Sequence, residues 1–167
     1  MSDNTKKLPF WPILLIIIII LVLAVLNPIC RYFYTKDFVK RGDEQLAELF
    51  AHDIQTKELT DSHKPIFFFG SSKTRTNASC LDLSTSDYNI YSVFDVANRL
   101  SLDTVEASQS IITYLNSLGY DYTAPTQKDW DLYYESEMKE HVPLWKTFPW
   151  YDGILETEHC IIVQLSN

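Results

Sequence analysis

Between Leu8 and Leu26 the chain carries no charged residue, and Ile13 to Leu26 is an unbroken run of Ile, Leu, Val and Ala. A stretch so apolar has to leave water, either into a protein core or into lipid. As a helix rising about 1.5 Å per residue it reaches roughly 28 Å, close to the thickness of a bilayer's hydrocarbon core. Trp11 near its start and Tyr32, Phe33 and Tyr34 just beyond its end stand where interfacial aromatics are expected. Pro28 closes the run. A cleaved signal peptide has a shorter apolar region with small residues before the cut, whereas this run is longer and has no A-x-A pattern. Cys30 follows "LNPI", without the small residues that precede a lipoprotein cysteine. The expectation is one retained transmembrane helix over residues 8–30, preceded by a short N-terminal segment at 1–7.

With the anchor set aside, the charge divides sharply. Residues 42–167 hold 20 Asp and Glu against 8 Lys and Arg, a net of −12. Residues 31–41 instead carry Arg31, Lys36, Lys40 and Arg41 against Asp37 alone. A basic juxtamembrane collar at 31–41 therefore precedes an acidic head at 42–167. The collar suits anionic headgroups, and the acidic head argues against nucleic acid, whose phosphates demand the opposite sign. Lys6 and Lys7 precede the anchor and four basic residues follow it, so flanking charge alone reads the head as cytoplasmic.

The chain of 167 residues has room for one domain beyond the anchor. Leu46, Leu49, Phe50 and Ile54 recur at helical spacing within Gly42 to Leu59. Ile66 to Phe69, bounded by Pro65 and Gly70, is a continuous apolar run and reads as a strand buried on both faces. Residues 71–89 read as a long polar loop, and Asn89 to Val96 as a second strand. Asp103 to Leu118 is the clearest helix, with a capping-box-like Asp103 and Glu106, an apolar stripe of Val105, Ile112, Leu115 and Leu118, and Gly119 as its stop. Tyr120 to Thr123 reads as a third strand or extended turn. Thr126 caps a further helix to about Glu140, with Trp130, Tyr133, Tyr134 and Met138 as buried candidates. "GILETEHCIIVQLS" reads as a hairpin whose returning strand, Cys160 to Leu165, should be covered on both faces. The fold class is α/β (α+β): a mixed central sheet flanked by helices and ending in a C-terminal β-hairpin.

The candidate chemistry centres on "KPIFFFGSSKTRT", where a strand ends at Gly70. A phosphate-binding P-loop requires G-x-x-x-x-G-K-[ST], but Phe68 stands where the first glycine belongs and Ser72 precedes Lys73. "FFGSS" is similar to the first block of SGNH-type esterases and acyltransferases, which would make Ser71 or Ser72 a nucleophile. Such a serine needs a histidine and an acid. Asp152 and His159 are the late candidates, seven apart where that family has three. The plainer reading is a strand ending in a glycine turn with solvated serines. His52, His63, His141 and His159 fall on different elements without ligand spacing, so no metal or cofactor is expected. Cys80 and Cys160 in the head would pair in an oxidising compartment and otherwise remain thiols. "NAS" at 77–79 is a glycosylation sequon of a length that recurs by chance.

The stretch from Leu115 to Ser166 also carries a resemblance. Leu118-Gly119, Pro143, Trp145, Pro149, Gly153-Ile154 and Ile162-Val163-Gln164-Leu165-Ser166 are similar to the closing segment of polytopic bacterial glucosyltransferases of the serotype-converting O-antigen type. "KPIFFFGSS" resembles the "kPvvFvGs" strand of their terminal extracytoplasmic domain, and Val93, Phe94 and Asp95 match its "SfFeWd" segment. The resemblance spans roughly residues 40–167. The chain departs from it in lacking the many catalytic membrane helices and in having Ala97 near the position of a typical tryptophan. It implies a non-catalytic, single-pass accessory of a multi-spanning glycosyltransferase, with residues 1–7 in the cytoplasm, the head outside the cell against the flanking charges, and "KPIFFFG" as its buried central strand. Ser71, Ser72, Lys73 and Arg75, at the C-terminal edge of that strand, would then meet a sugar or lipid-linked phosphate. An anchored serine hydrolase and a scaffold without ligand are the alternatives.

Overall fold

The computed structural model describes residues 10–59, 63–70, 92–95, 103–140, 148 and 153–165. Its first element, α1, is a single helix from Phe10 to Thr56. Proline removes one helical hydrogen bond and crowds the preceding turn, yet α1 continues through Pro28. Pro28 thus ends the apolar run without ending the helix, and residues 42–56 are the last turns of the same rod. From Ile13 to Tyr34 the large apolar side chains are mostly exposed, and this helix is long and apolar enough to cross a membrane.

Beyond that segment the character of α1 changes. Thr35, Val39, Asp43, Ala47, Phe50 and Ile54 are all buried, and their three- and four-residue spacing puts them along one face of the helix. Leu49, expected in the core, points outward at 47% exposure. The helix stops in a Schellman arrangement: Glu58 takes the left-handed conformation (φ 58°), Leu59 N–H donates to Ile54 O, and Glu58 N–H donates to Gln55 O.

The sheet comprises β1 (Ile66–Phe69), β2 (Ile154–Glu156) and β3 (Ile161–Gln164) in the order β1-β3-β2. β3 runs parallel to β1, pairing Ile66 with Ile161 and Phe69 with Gln164. It runs antiparallel to β2, pairing Ile154 with Val163 and Glu156 with Ile161. The C-terminal hairpin therefore forms with the expected partners. Among the described residues β3, and not the "KPIFFFG" strand, is the central one. The outer edge of β1 is closed by side chain and loop: Ile66 N–H donates to Thr123 O and Phe68 N–H to Ser108 Oγ. Tyr120 to Thr123 contributes only an isolated bridge, Pro65 to Thr123. The expected strand at 89–96 is a 3-10 turn over Val93–Asp95 in its described part.

Helices cover both faces of the sheet. α2 (Thr104–Ser117) starts at Asp103, whose carboxylate accepts from Glu106 N–H, and ends at Gly119, whose φ of 99° favours glycine. It buries Val105, Ile111, Ile112 and Leu115, while Leu118 at its end is exposed. Ile66, Phe68, Ile161, Val163 and Leu165 pack with Phe50 and Ile54 of α1 and with Ile112 and Leu115 of α2. The opposite face, Phe67, Phe69, Cys160 and Ile162, packs on Val105, Met138 and the half-buried Trp130, Tyr133 and Tyr134. Those last residues belong to α3 (Gln127–Tyr133) and the π-helical turn Tyr134–Met138 that extends it. Thr126 and Asp129 cap α3 reciprocally.

Every residue of β3 is buried, as are Cys160 and Leu165 beside it. Burying one Val, Leu or Ile is worth roughly 1.5–3 kcal/mol, against a domain stability of about 5–15 kcal/mol. Deletion of residues 160–167 is therefore expected to abolish the cooperative thermal transition of the head, followed by circular dichroism on the full chain in detergent. A truncated chain melting near the intact temperature would contradict this architecture.

Candidate functional site

The parallel pair β1 and β3 defines two ends of the sheet. At the C-terminal end, Gly70 adopts φ 78°, a conformation that favours glycine. Ser71, Ser72, Lys73 and Arg75 follow it, and they lie outside the described residues. Close by in the chain, Leu165 N–H donates to Phe69 O at 2.7 Å and Phe148 N–H donates to Gln164 O at 2.6 Å.

Next to the Phe68 face of the core sits a buried carboxylate that sequence reading passed over. Asp43 Oδ1 accepts from Ser92 Oγ at 2.5 Å, and Oδ2 accepts from Val93 N–H at 3.0 Å. Ser92 Oγ in turn accepts from Phe94 N–H at 3.1 Å. Phe94 is seated by these bonds edge-on against Phe68 and Tyr114. Burial raises the Asp43 pKa, with the bonds from Ser92 and Val93 opposing it. The Tyr114 hydroxyl is pushed up to about 12 by burial and by the charges of Asp43 and Glu44. The cluster ties α1 to the 3-10 turn. The one signal for it was an acid at position 43, on the helical stripe that runs through Val39, Ala47 and Phe50.

At the N-terminal end of the sheet the β2–β3 turn is held from two sides. Lys64 Nζ donates to Glu156 Oε1 at 2.6 Å and to Thr157 O at 2.7 Å. Across the turn, Glu137 accepts from His159 N–H at 3.1 Å and pairs with His159 Nδ1 at 2.5 Å. The His159 ring stacks on Tyr133, 5.1 Å between centroids and 9° between planes. Burial works against ionisation of Glu137, but hydrogen bonds from Thr157 and His159 and the His159 charge outweigh it, so its pKa is lowered. The Cys160 thiol is a free thiol, 3.1 Å from Thr157 Oγ1 and 4.0 Å from Glu137 Oε2. Burial raises its pKa despite the Thr157 bond, and Glu137 adds to the rise. A reactive cysteine needs the reverse, a stabilised thiolate. Cys80, its suggested disulfide partner, lies outside the described residues.

The register bears directly on the serine-nucleophile reading. Gly70 falls beside Leu165 and Lys64 beside His159 when the β1–β3 pairing is extended by one or two residues. Six residues at about 3.3 Å each separate the two ends by roughly 20 Å. A serine one residue beyond Gly70 is held within about 4 Å of its Cα. His159 is thus at the wrong end of the sheet to activate Ser71, and its Nδ1 is taken by Glu137. Asp152 lies outside the described residues. Among the described residues no three His, Cys, Asp or Glu side chains gather as metal ligands would. No protein-family model matches this chain, and no curated protein or solved structure matches it either.

Two substitutions test the polar clusters. Asp43→Asn removes the buried charge and keeps one acceptor oxygen for Val93 N–H, with its amide able to donate to Ser92 Oγ once that hydroxyl turns, whereas Asp43→Ala strands the Ser92 hydroxyl and Val93 N–H at a cost of about 1–3 kcal/mol. Asn should accordingly melt well above Ala at neutral pH, and equal melting would remove the cluster's structural role. Because the folded pKa of Asp43 is raised, its contribution favours the fold at low pH and declines as pH rises through the folded value. Glu137 has the opposite sign. Its lowered pKa contributes stability present above the ordinary value of 4.5 and lost as pH falls through the folded value. Glu137→Gln should cost about 1 kcal/mol at neutral pH, given the partial exposure of His159. That difference should shrink in melts below pH 4.5.

Proposed function

We infer that this chain is a non-catalytic, membrane-anchored accessory protein of a multi-spanning glycosyltransferase, acting in the glycosylation of a cell-envelope polysaccharide or teichoic acid. The observation that carries this reading is the continuity of α1. One helix supplies both the apolar anchor and the buried residues Val39, Ala47, Phe50 and Ile54 of the head. A head built onto its own anchor stays within a few turns of the bilayer, which suits presenting a membrane-bound acceptor or lipid-linked sugar to an enzyme in the same membrane. The resemblance of the head to the terminal domain of serotype-converting glucosyltransferases supplies the class of partner and the outward orientation. In this reading Ser71, Ser72, Lys73 and Arg75 form the ligand-facing loop at the C-terminal end of β1. The rival hydrolase would need a base other than His159, since His159 belongs to the opposite end of the sheet.

Affinity purification of the tagged full chain from detergent-solubilised membranes should recover a polytopic glycosyltransferase. A chain that captures neither such an enzyme nor any glycan would overturn the proposal. Orientation is read separately: protease added to intact spheroplasts should remove the head. Protection until lysis would place the head inside, in keeping with the flanking charges. A fluorophosphonate probe whose labelling disappears in Ser71→Ala or Ser72→Ala would instead establish the hydrolase.

A further inference from the structure

The collar between anchor and head divides into two kinds of basic residue. Lys40 pairs with Glu44 at 3.6 Å and Arg41 with Asp37 at 2.8 Å, both one helical turn apart on α1. Arg31 and Lys36, nearer the apolar segment, are exposed and have no carboxylate partner among the described residues. The exposed rings of Tyr32, Phe33 and Tyr34 lie between them.

Depth along the helix gives this division a meaning. Counting about 1.5 Å per residue from Leu26, Arg31 stands roughly 7–8 Å and Lys36 roughly 15 Å beyond the apolar boundary. The headgroup layer of one leaflet occupies about the first 5–8 Å of that distance. Side chains on an α-helix lean toward its N-terminus, and here the N-terminus is the membrane side. Arg31 is therefore at the phosphate level, and the long stem of Lys36 lets its ammonium descend toward it. Thr35 and Val39 are already buried, so the head begins just above, and its surplus of acid repels the same lipids that the collar would hold.

We propose that Arg31 and Lys36 form a phosphate-binding collar for anionic phospholipids in the leaflet on the head's side, with Tyr32, Phe33 and Tyr34 seated among the glycerol backbones. The lipid phosphates take the place that Glu44 and Asp37 fill for Lys40 and Arg41. Attraction at the collar and repulsion from the acidic head together hold the head upright over its own anchor. The proposal rests on the membrane-anchor reading and is independent of the partner enzyme and of which side the head occupies.

The test uses the full chain reconstituted into phosphatidylcholine vesicles, with spin-labelled phosphatidylglycerol or spin-labelled phosphatidylcholine as probe. Resistance to alkaline extraction is measured first, because a chain washed off the vesicles overturns the anchor reading and the collar with it. In the inserted protein the motionally restricted fraction should favour phosphatidylglycerol by at least about fivefold, the factor expected of either Arg31 or Lys36 acting alone. That preference should fall toward unity in Arg31→Gln/Lys36→Gln and in high salt, and persist in Lys6→Gln/Lys7→Gln. Equal restriction of the two probes would overturn the proposal. So would a preference that survives the collar substitutions and vanishes in the Lys6/Lys7 variant. Loss of the preference to excess inorganic phosphate at constant ionic strength would mean a site for free phosphate instead of lipid.

Discussion

The two-sided burial of β3 is the constraint on which the rest of the head depends. Its backbone bonds to β1 on one side and β2 on the other, and its side chains alternate between two apolar layers. Val163 and Ile161 close the core shared with α1 and α2. Ile162 and Cys160 close the one beneath α3 and its π-helical turn. A polar side chain facing either layer without a partner is costly, and residues 160–165 are apolar but for Gln164. The single polar member, Gln164, sits at the strand's end; its backbone carbonyl accepts from Phe148 N–H, while its side-chain Oε1 is buried without a hydrogen-bond donor among the described residues.

α1 couples this core to the apolar segment. The helix changes character at Thr35 without changing secondary structure: the large apolar side chains before it are mostly exposed, on a stretch long and apolar enough to cross a membrane, and after it one face is a wall of the core. In lipid a helix is the form that satisfies its own backbone, and the same geometry continued upward presents Val39, Asp43, Ala47, Phe50 and Ile54 to the sheet. Asp43 is the exception on that face. It is held there by Ser92 and Val93, and it orders the turn that seats Phe94 against Phe68.

Among the described residues Lys64, Glu156, Glu137 and His159 gather at the N-terminal end of the parallel pair, and that placement bears on the serine-hydrolase alternative. His159 looked from its position near the C-terminus like the partner of an upstream serine. The parallel register of β1 and β3 places it beside Lys64 instead, at the entry to β1, with Glu137 on its ring nitrogen and Tyr133 on its face. Glu137 and His159 are 22 residues apart, and Asp43 and Ser92 are 49 apart. No local pattern announces pairs at such separations.

What the sequence by itself determined is the part governed by short-range periodicity and solvent. The apolar helix, the IFFF strand, the Asp103-capped helix ended by Gly119, the Thr126 cap and the C-terminal hairpin each carry their signal within a few residues. Each forms as that signal indicates. What only the tertiary structure decided is where local signals were absent or overridden. The helix continued through Pro28, because one lost hydrogen bond does not outweigh the turns on either side. It stopped at Thr56, with Glu58 instead of a glycine in the left-handed cap. The segment at 93–95 became a 3-10 turn rather than a strand, since its backbone is claimed by Asp43 and Ser92. The central place in the sheet went to β3, with Thr123 and Ser108 bonded along the outer edge of β1. In each case a partner distant in the chain settled the outcome, and such partners meet only once the layers have packed.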